Sequence, residues 1–377
     1  MQRPLFDVLI IGAGVNGLAT AYHLSSFKHL KIALLEQFEL GHQLGSSHGA
    51  SRMIRSTYTD PLYSKLVQKA RLEEWPLLEK EIGSSLIDSN PLCLFGKGAP
   101  FRGYAQALAR LKEIEPLEIA RAKERFPQFC FDGMEKIFVD HSAGVIRANE
   151  MMIGLAKIAV KNGVTFHEKT KVLRLDTSQN PICVETDKGI YFTEKLVVAA
   201  GPWIGTLLPL LQKILIPIRQ TVAYFHFGDA LQIGRFPNWT FVGEDQIFYG
   251  MPEFGAPGVM KVGEHFSKGE DDPNQEKDPP RERLQSLIDF VDRCFAPSHH
   301  RFLKKDTCMY TMAKEERFLC DILPEDPRIV VGSACSGHAF KFAPLIGRIL
   351  SELVLDGATK IKEAKELFSY SNFPQLR

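Results

Sequence analysis

Apolar runs broken by glycine and charge predict alternating strands and helices along most of the chain. Phe6-Asp7-Val8-Leu9-Ile10-Ile11 reads as a buried strand, and a glycine-rich turn follows it. Leu18, Ala21 and Leu24 then recur at helical spacing, and residues 31–35 form a second strand ending at Glu36. The opening segment is therefore a predicted βαβ unit. Leu62, Leu66, Val67, Ala70, Leu77, Leu78 and Ile82 fall at helical intervals, and Pro76 predicts a kink or split among them. A helix is expected over 149–161, with Asn149 as its N-cap and Gly163 just beyond its end. Hairpin-like strands are predicted at 171–175, 182–186 and 190–192, and a separate buried strand over 196–200 ends in Gly201. Residues 216–262, rich in Phe, Tyr and Val, predict antiparallel sheet, whereas the charged, proline-rich 266–283 reads as an exposed loop. A helix at 282–295, a short buried strand at 328–332 and a last helix at 343–356 complete the pattern.

Composition narrows the function classes. Lys plus Arg number 46 against 45 Asp plus Glu, and this balance argues against a protein that holds nucleic-acid phosphates. With 45% hydrophobic and 24% charged residues, disordered and fibrous classes are excluded. At ~150 residues per domain the 377 residues predict two to three domains. The seven cysteines are scattered without CxxC or a His/Cys cluster, so neither a disulfide framework nor a metal site is expected. No run approaches the ~18 apolar residues of a membrane span. The first apolar stretch is too short for a signal peptide. Gln375-Leu376-Arg377 is not a Ser-Lys-Leu address. The expectation is a cytoplasmic protein without membrane or nucleic-acid partners.

Gly12-Ala13-Gly14-Val15-Asn16-Gly17 fits GxGxxG between a strand and a helix, with Glu36 at the end of the next strand. That context marks a dinucleotide site. Gly12 permits the tight turn, Gly14 lets backbone approach a pyrophosphate, and Gly17 lets helix and strand pack closely. The helix N-terminus offers free N–H groups and partial positive charge. Glu36 can accept hydrogen bonds from ribose hydroxyls. Strands far downstream complete the same unit, and this discontinuity favours FAD over NAD by fold analogy.

Four further segments carry a resemblance. They are Gly45-Ser46-Ser47-His48-Gly49-Ala50-Ser51-Arg52-Met53-Ile54-Arg55, Ala200-Gly201-Pro202-Trp203, Thr307-Cys308-Met309-Tyr310-Thr311 and Ser336-Gly337-His338-Ala339-Phe340-Lys341. With Lys261-Val262-Gly263-Glu264-His265, the set resembles the monomeric sarcosine oxidase and L-pipecolate oxidase family, FAD-dependent amino-acid oxidases related to D-amino-acid oxidase. The likeness runs from residue 6 to about 356.

The resemblance implies an α/β fold, α+β overall: a Rossmann-like FAD domain of discontinuous segments (1–85, 147–215 and 320–377) and an antiparallel-sheet substrate domain (86–146 and 216–319). It places Gly12, Gly14, Asn16, Gly17, Glu36, Gln37, Ser46, Ser47, His48, Arg52, Val172, Gly201, Trp203, Cys308, Gly337, His338 and Lys341 around FAD. Cys308 matches a cysteine joined to the flavin by a thioether, and Lys304 and Lys305 are candidates to lower its pKa if they point at it. Arg55 and Lys341 match a pair that clamps the substrate carboxylate, and Arg52 an arginine lying against the flavin. Lys261 matches a lysine that activates O2, and His265 a histidine contacting substrate. Tyr249, Tyr310 and Met251 line the pocket. Glu264 and Met251 depart from the family pattern and are candidates for altering the substrate.

The implied reaction is oxidation of a small secondary or N-methyl amino acid to the imine, with O2 reduced to H2O2, by a monomer. The alternatives are a dehydrogenase of the same fold with another acceptor, a biosynthetic enzyme for an unusual amino acid, and a nucleotide-binding regulator without catalysis.

Overall fold

The opening apolar run becomes a central strand because both of its faces are covered, as parallel sheets require. A computed structural model describes residues 4–374 except 112, 229–230, 232 and 296–299. The terminal tripeptide Gln375-Leu376-Arg377 lies outside these. Leu5–Ile11 pairs in parallel with Ile32–Leu35 on one side and with Gly189–Val198 on the other. Thr165–His167 and Ile329–Ser333 extend the same eight-stranded sheet in parallel. One face is packed by Leu18, Met151, Leu155, Leu345 and Ile349 from three helices. Leu9, Ile11, Leu196, Val198 and Leu211 fill the opposite face.

The strands expected at 190–192 and 196–200 are one, Gly189–Val198. The polar Thr193-Glu194-Lys195 reads as a break, but it is where the strand changes partner. Before it the strand pairs antiparallel with Ile182–Thr186, and after it in parallel with Ile329–Ser333.

A second eight-stranded sheet holds Ile216–His226, Val259–Glu264, Ile247–Pro252 and Asn238–Val242 in antiparallel succession, as their composition predicts. Arg301–Met312 closes one edge. On the other side Leu92–Gly96 joins in parallel, the one departure from antiparallel pairing in this sheet among the described residues. Its core is aromatic, with Phe95, Phe131, Trp239, Phe248 and Phe290 all buried.

Local corrections follow from backbone chemistry. The 62–82 segment is Pro61–Lys69, a π-turn at Ala70–Glu74, and Trp75–Ile82. Pro76 sits at the start of the last piece, where its missing N–H costs little. Asn149 is not a cap: the helix begins at Ala148, behind Arg147, and Asn149 is inside its first turn. The 266–283 loop is a tether as well as exposed chain. Asp271 Oδ2 accepts the Arg219 amide, and Asn274 Oδ1 accepts the Trp203 indole N–H at 2.9 Å. Among the described residues no helix is long and apolar enough to cross a membrane.

Candidate active site

A cavity of about 620 Å³ takes its walls from both sheets. Gly12, Gly14 and Glu36 line it from the first sheet, and Tyr249, Lys261 and Cys308 from the second. Every residue expected to hold FAD or to bind or act on substrate lines it except Gly17. A Cβ on Gly17 would collide with the Gly12 carbonyl, so this glycine acts in packing behind the turn.

At the glycine turn, Gly12 has φ +98°, and a Cβ there would stand 2.5 Å from the Ala199 carbonyl oxygen. The Val15–Leu24 helix starts with no side-chain cap from Gly14 and no acid in its first turn, while the Val15 amide donates to Ser47 Oγ at 3.0 Å. Asn16 Nδ2 donates to the Ala334 carbonyl, but its buried Oδ1 has no partner. Glu36 is buried, each oxygen accepting one backbone N–H: Oε2 from Ala13 at 2.8 Å and Oε1 from Phe38 at 2.9 Å. Trp203 packs edge-on against Phe38 near it.

The middle of the cavity is cationic. Arg52 donates to the carbonyls of Ser51, Ser46 and His48, which leaves little freedom in its guanidinium. Lys261 pairs across the sheet with Met251 on one side and Tyr224 on the other. Burial, then the charge of Arg52, brings its ammonium down to about 8. Burial, then Arg52, also brings His48 down to about 4, so it is neutral at pH 7. Burial raises the Cys308 thiol, and Arg52 and Lys261 oppose that rise. Lys304 and Lys305 do not serve Cys308: Lys304 lies over the Tyr224 ring and Lys305 pairs with Asp278. They are its near neighbours in sequence, but along the strand their partners lie elsewhere.

Arg55 and Lys341 converge on Tyr58. The Arg55 guanidinium lies 4.8 Å from the ring centroid and donates to Thr57 Oγ1 and Tyr104 Oη. Lys341 Nζ donates to Tyr58 Oη at 2.9 Å and to the His338 carbonyl at 2.6 Å. Trp75 Nε1 fixes the Lys341 carbonyl at 3.0 Å. Burial, then Arg55, pushes Lys341 well below the usual lysine range. Among the described residues, none of Arg52, Arg55, Lys261 and Lys341 has a carboxylate within 4.0 Å. A half-buried guanidinium and a buried lysine sharing one pole without a counter-anion make a site for an anion, whose charge favours the ammonium form of Lys341.

His265 Nε2 is 2.7 Å from Glu316 Oε1, and its ring packs against Tyr310. Tyr249 and Tyr310 meet through their hydroxyls at 3.4 Å. His338, kept neutral by burial and by Lys341, bridges the Glu316 carbonyl and Tyr58 Oη. Met251 lines the cavity, but Glu264 does not: its carboxylate accepts from Gln246 outside it, so it is no longer a candidate for altering the substrate. Sequence reasoning missed Tyr58, Tyr104 and Glu316. Tyr58 lies three residues past Arg55, a local signal, whereas nothing adjacent marks Tyr104 or Glu316.

The model of a family described as DAO, FAD dependent oxidoreductase, matches residues 7–353. Human peroxisomal sarcosine oxidase is 34% identical, over 100% of this chain and 98% of that protein. Monomeric sarcosine oxidase from Bacillus sp. (strain B-0618) is 29% identical, over 94% of this chain and 93% of that one. The solved structure of NikD, described as an unusual amino acid oxidase essential for nikkomycin biosynthesis, superposes with TM-score 0.83 at 24% identity, covering 95% of each chain.

Proposed function

The chain belongs to the FAD dependent oxidoreductase family, and we propose that it oxidises a small secondary or N-methyl amino acid, of sarcosine, pipecolate or proline type, with O2 as acceptor. It is an FAD-dependent oxidoreductase acting on CH–NH donors. FAD, when bound, supplies a two-electron acceptor.

The residues fit FAD. The glycine turn and the start of the Val15–Leu24 helix, with no acid in its first turn, suit a pyrophosphate. Glu36, buried with one backbone donor per oxygen, retains lone pairs for ribose hydroxyls. We assign the covalent link to Cys308, whose thiol lines the cavity under the charges of Arg52 and Lys261. The two eight-stranded sheets support the proposed division into FAD segments and a substrate domain, and a three-stranded sheet of Ser51–Ile54, Gly144–Arg147 and Ile87–Ser89 joins the two.

The observation that carries the amino-acid reading is the meeting of Arg55 and Lys341 at Tyr58 without a carboxylate of the chain between them. They hold the substrate carboxylate, one bidentately and one as a point charge. The cationic surroundings and desolvation favour the neutral amine over ammonium. The substrate loses two protons, one from C–H and one from N–H, and two electrons, giving the imine. O2 gains two electrons and two protons, giving H2O2. Lys261, with its ammonium on the cavity wall, stabilises negative charge developing on oxygen. The enzyme acts as a monomer in this reading. The cytoplasm is its proposed compartment, although relatives in human and mouse are named peroxisomal.

The test is a peroxide-coupled assay over secondary, N-methyl and primary amino acids. Peroxide formed with secondary or N-methyl members supports the reading. A preference for primary amines overturns the substrate class.

A further inference from the structure

We propose that Glu316, paired with His265, recognises the nitrogen end of the substrate, so that the amino acid lies with its carboxylate on Arg55 and Lys341 and its amine N–H toward Glu316. This rests on the amino-acid reading above and adds a second pole to the site.

The backbone brings Glu316 there at a cost. Glu315 has φ +57° and Glu316 φ +55°, two successive non-glycine residues in the left-handed region. Each is unfavourable for an L-residue and persists only where its surroundings enforce it. This turn follows the Arg301–Met312 strand that carries Cys308 and Tyr310. A relaxed turn needs neither angle, and the result of both is a carboxylate on the cavity wall.

The carboxylate is kept apart from the cations that would otherwise neutralise it. Its partner is His265, 2.7 Å away, and neither Arg55 nor Lys341 lies within ion-pair distance. Burial favours the neutral acid, but the His265 hydrogen bond and the charges of His265 and Arg55 outweigh it and hold Glu316 below the usual carboxylate range. Glu316 is therefore an acceptor at neutral pH. Its side chain remains 48% exposed, which leaves room for a further donor.

The spacing of the two poles is fixed by hydrogen bonds. The Glu316 carbonyl meets His338 Nε2 at 3.0 Å, His338 Nδ1 meets Tyr58 Oη at 3.1 Å, and Tyr58 Oη accepts from Lys341 at 2.9 Å. An amino carboxylate whose amine carries an N–H matches such a pair of poles. A carboxylate without an N–H satisfies only one of them.

The test compares two ligands by calorimetry on the flavin-loaded protein. One is pyrrole-2-carboxylate, which carries an N–H and no oxidisable C–H beside it. The other is furan-2-carboxylate, in which a ring oxygen replaces the N–H. Glu316→Gln is expected to weaken pyrrole-2-carboxylate by about 10-fold or more, the loss of a charge-assisted hydrogen bond, and to leave furan-2-carboxylate within about twofold. Glu316→Asp, which keeps the charge, is expected to restore part of the preference. If Glu316→Gln weakens both ligands equally, or neither, the proposal is overturned. If the unaltered protein binds neither ligand, the amino-acid reading itself fails, a distinguishable result.

Discussion

Arg55 and Lys341, from opposite ends of the chain, meet at a single side chain: the guanidinium lies 4.8 Å from the Tyr58 ring centroid while Lys341 Nζ donates to its hydroxyl at 2.9 Å. This brings a guanidinium and a buried lysine to one pole of the cavity, with a phenol as spacer. Such a pole is costly until an anion enters.

Replacing Lys341 by Met therefore removes one half of the carboxylate clamp. KM for amino-acid substrates is expected to rise about 10- to 100-fold, the loss of a charge-assisted contact. Steady-state kinetics on flavin-loaded protein checks it. An unchanged KM would place the substrate carboxylate elsewhere.

Cys308→Ser is expected to release its flavin on acid denaturation, whereas the unaltered chain retains it in the precipitate. Absorbance of the supernatant near the flavin band reads the difference. Flavin still attached in the variant would move the link to another residue.

A lysine is charged below its pKa. With Lys261 brought down to about 8, the ammonium is present at neutral pH and lost as pH rises through about 8. The rate of O2 reaction with reduced enzyme is expected to fall through that range. Lys261→Met is expected to slow it about 10²-fold or more and abolish the inflection. Stopped-flow oxidation at a series of pH values is the measurement. An inflection that persists in the variant would belong to another group.

Gly347 tests how the two ends of the chain are joined. A Cβ there would stand 2.5 Å from the Ala19 carbonyl oxygen, where the last long helix crosses the first. Alanine gains about 1 kcal/mol of helix propensity. Overpacking against backbone costs about 1–3 kcal/mol. The clash is expected to win, and thermal unfolding of Gly347→Ala should show a lowered Tm. An unchanged or raised Tm would mean that the helices separate without cost.

Much of this was legible in the sequence because its signals are local. The GxGxxG turn with Glu36 announces itself within one βαβ unit, and the motif around Cys308 carries its neighbours with it. Arg55 and Lys341 were matched as a pair through the resemblance, and the structure brings them to one tyrosine. What escaped depends on contacts between segments distant in sequence. Tyr104 reaches Arg55 from a helix with no local mark, and Glu316 enters through two left-handed residues that no glycine signals. Lys304 and Lys305 failed as neighbours of Cys308 because proximity in a strand does not fix where long side chains end. The strand at Gly189–Val198 was split in two because its polar middle marks a change of partner, which a one-dimensional pattern shows as a break.

The most direct measurement is anaerobic mixing of the flavin-loaded protein with sarcosine or proline and, separately, with the corresponding carboxamide. At least one of the two amino acids is expected to bleach the flavin band, and its carboxamide, which offers Arg55 and Lys341 no anion, to bleach it at least about 10²-fold more slowly. Equal bleaching by acid and amide would contradict this.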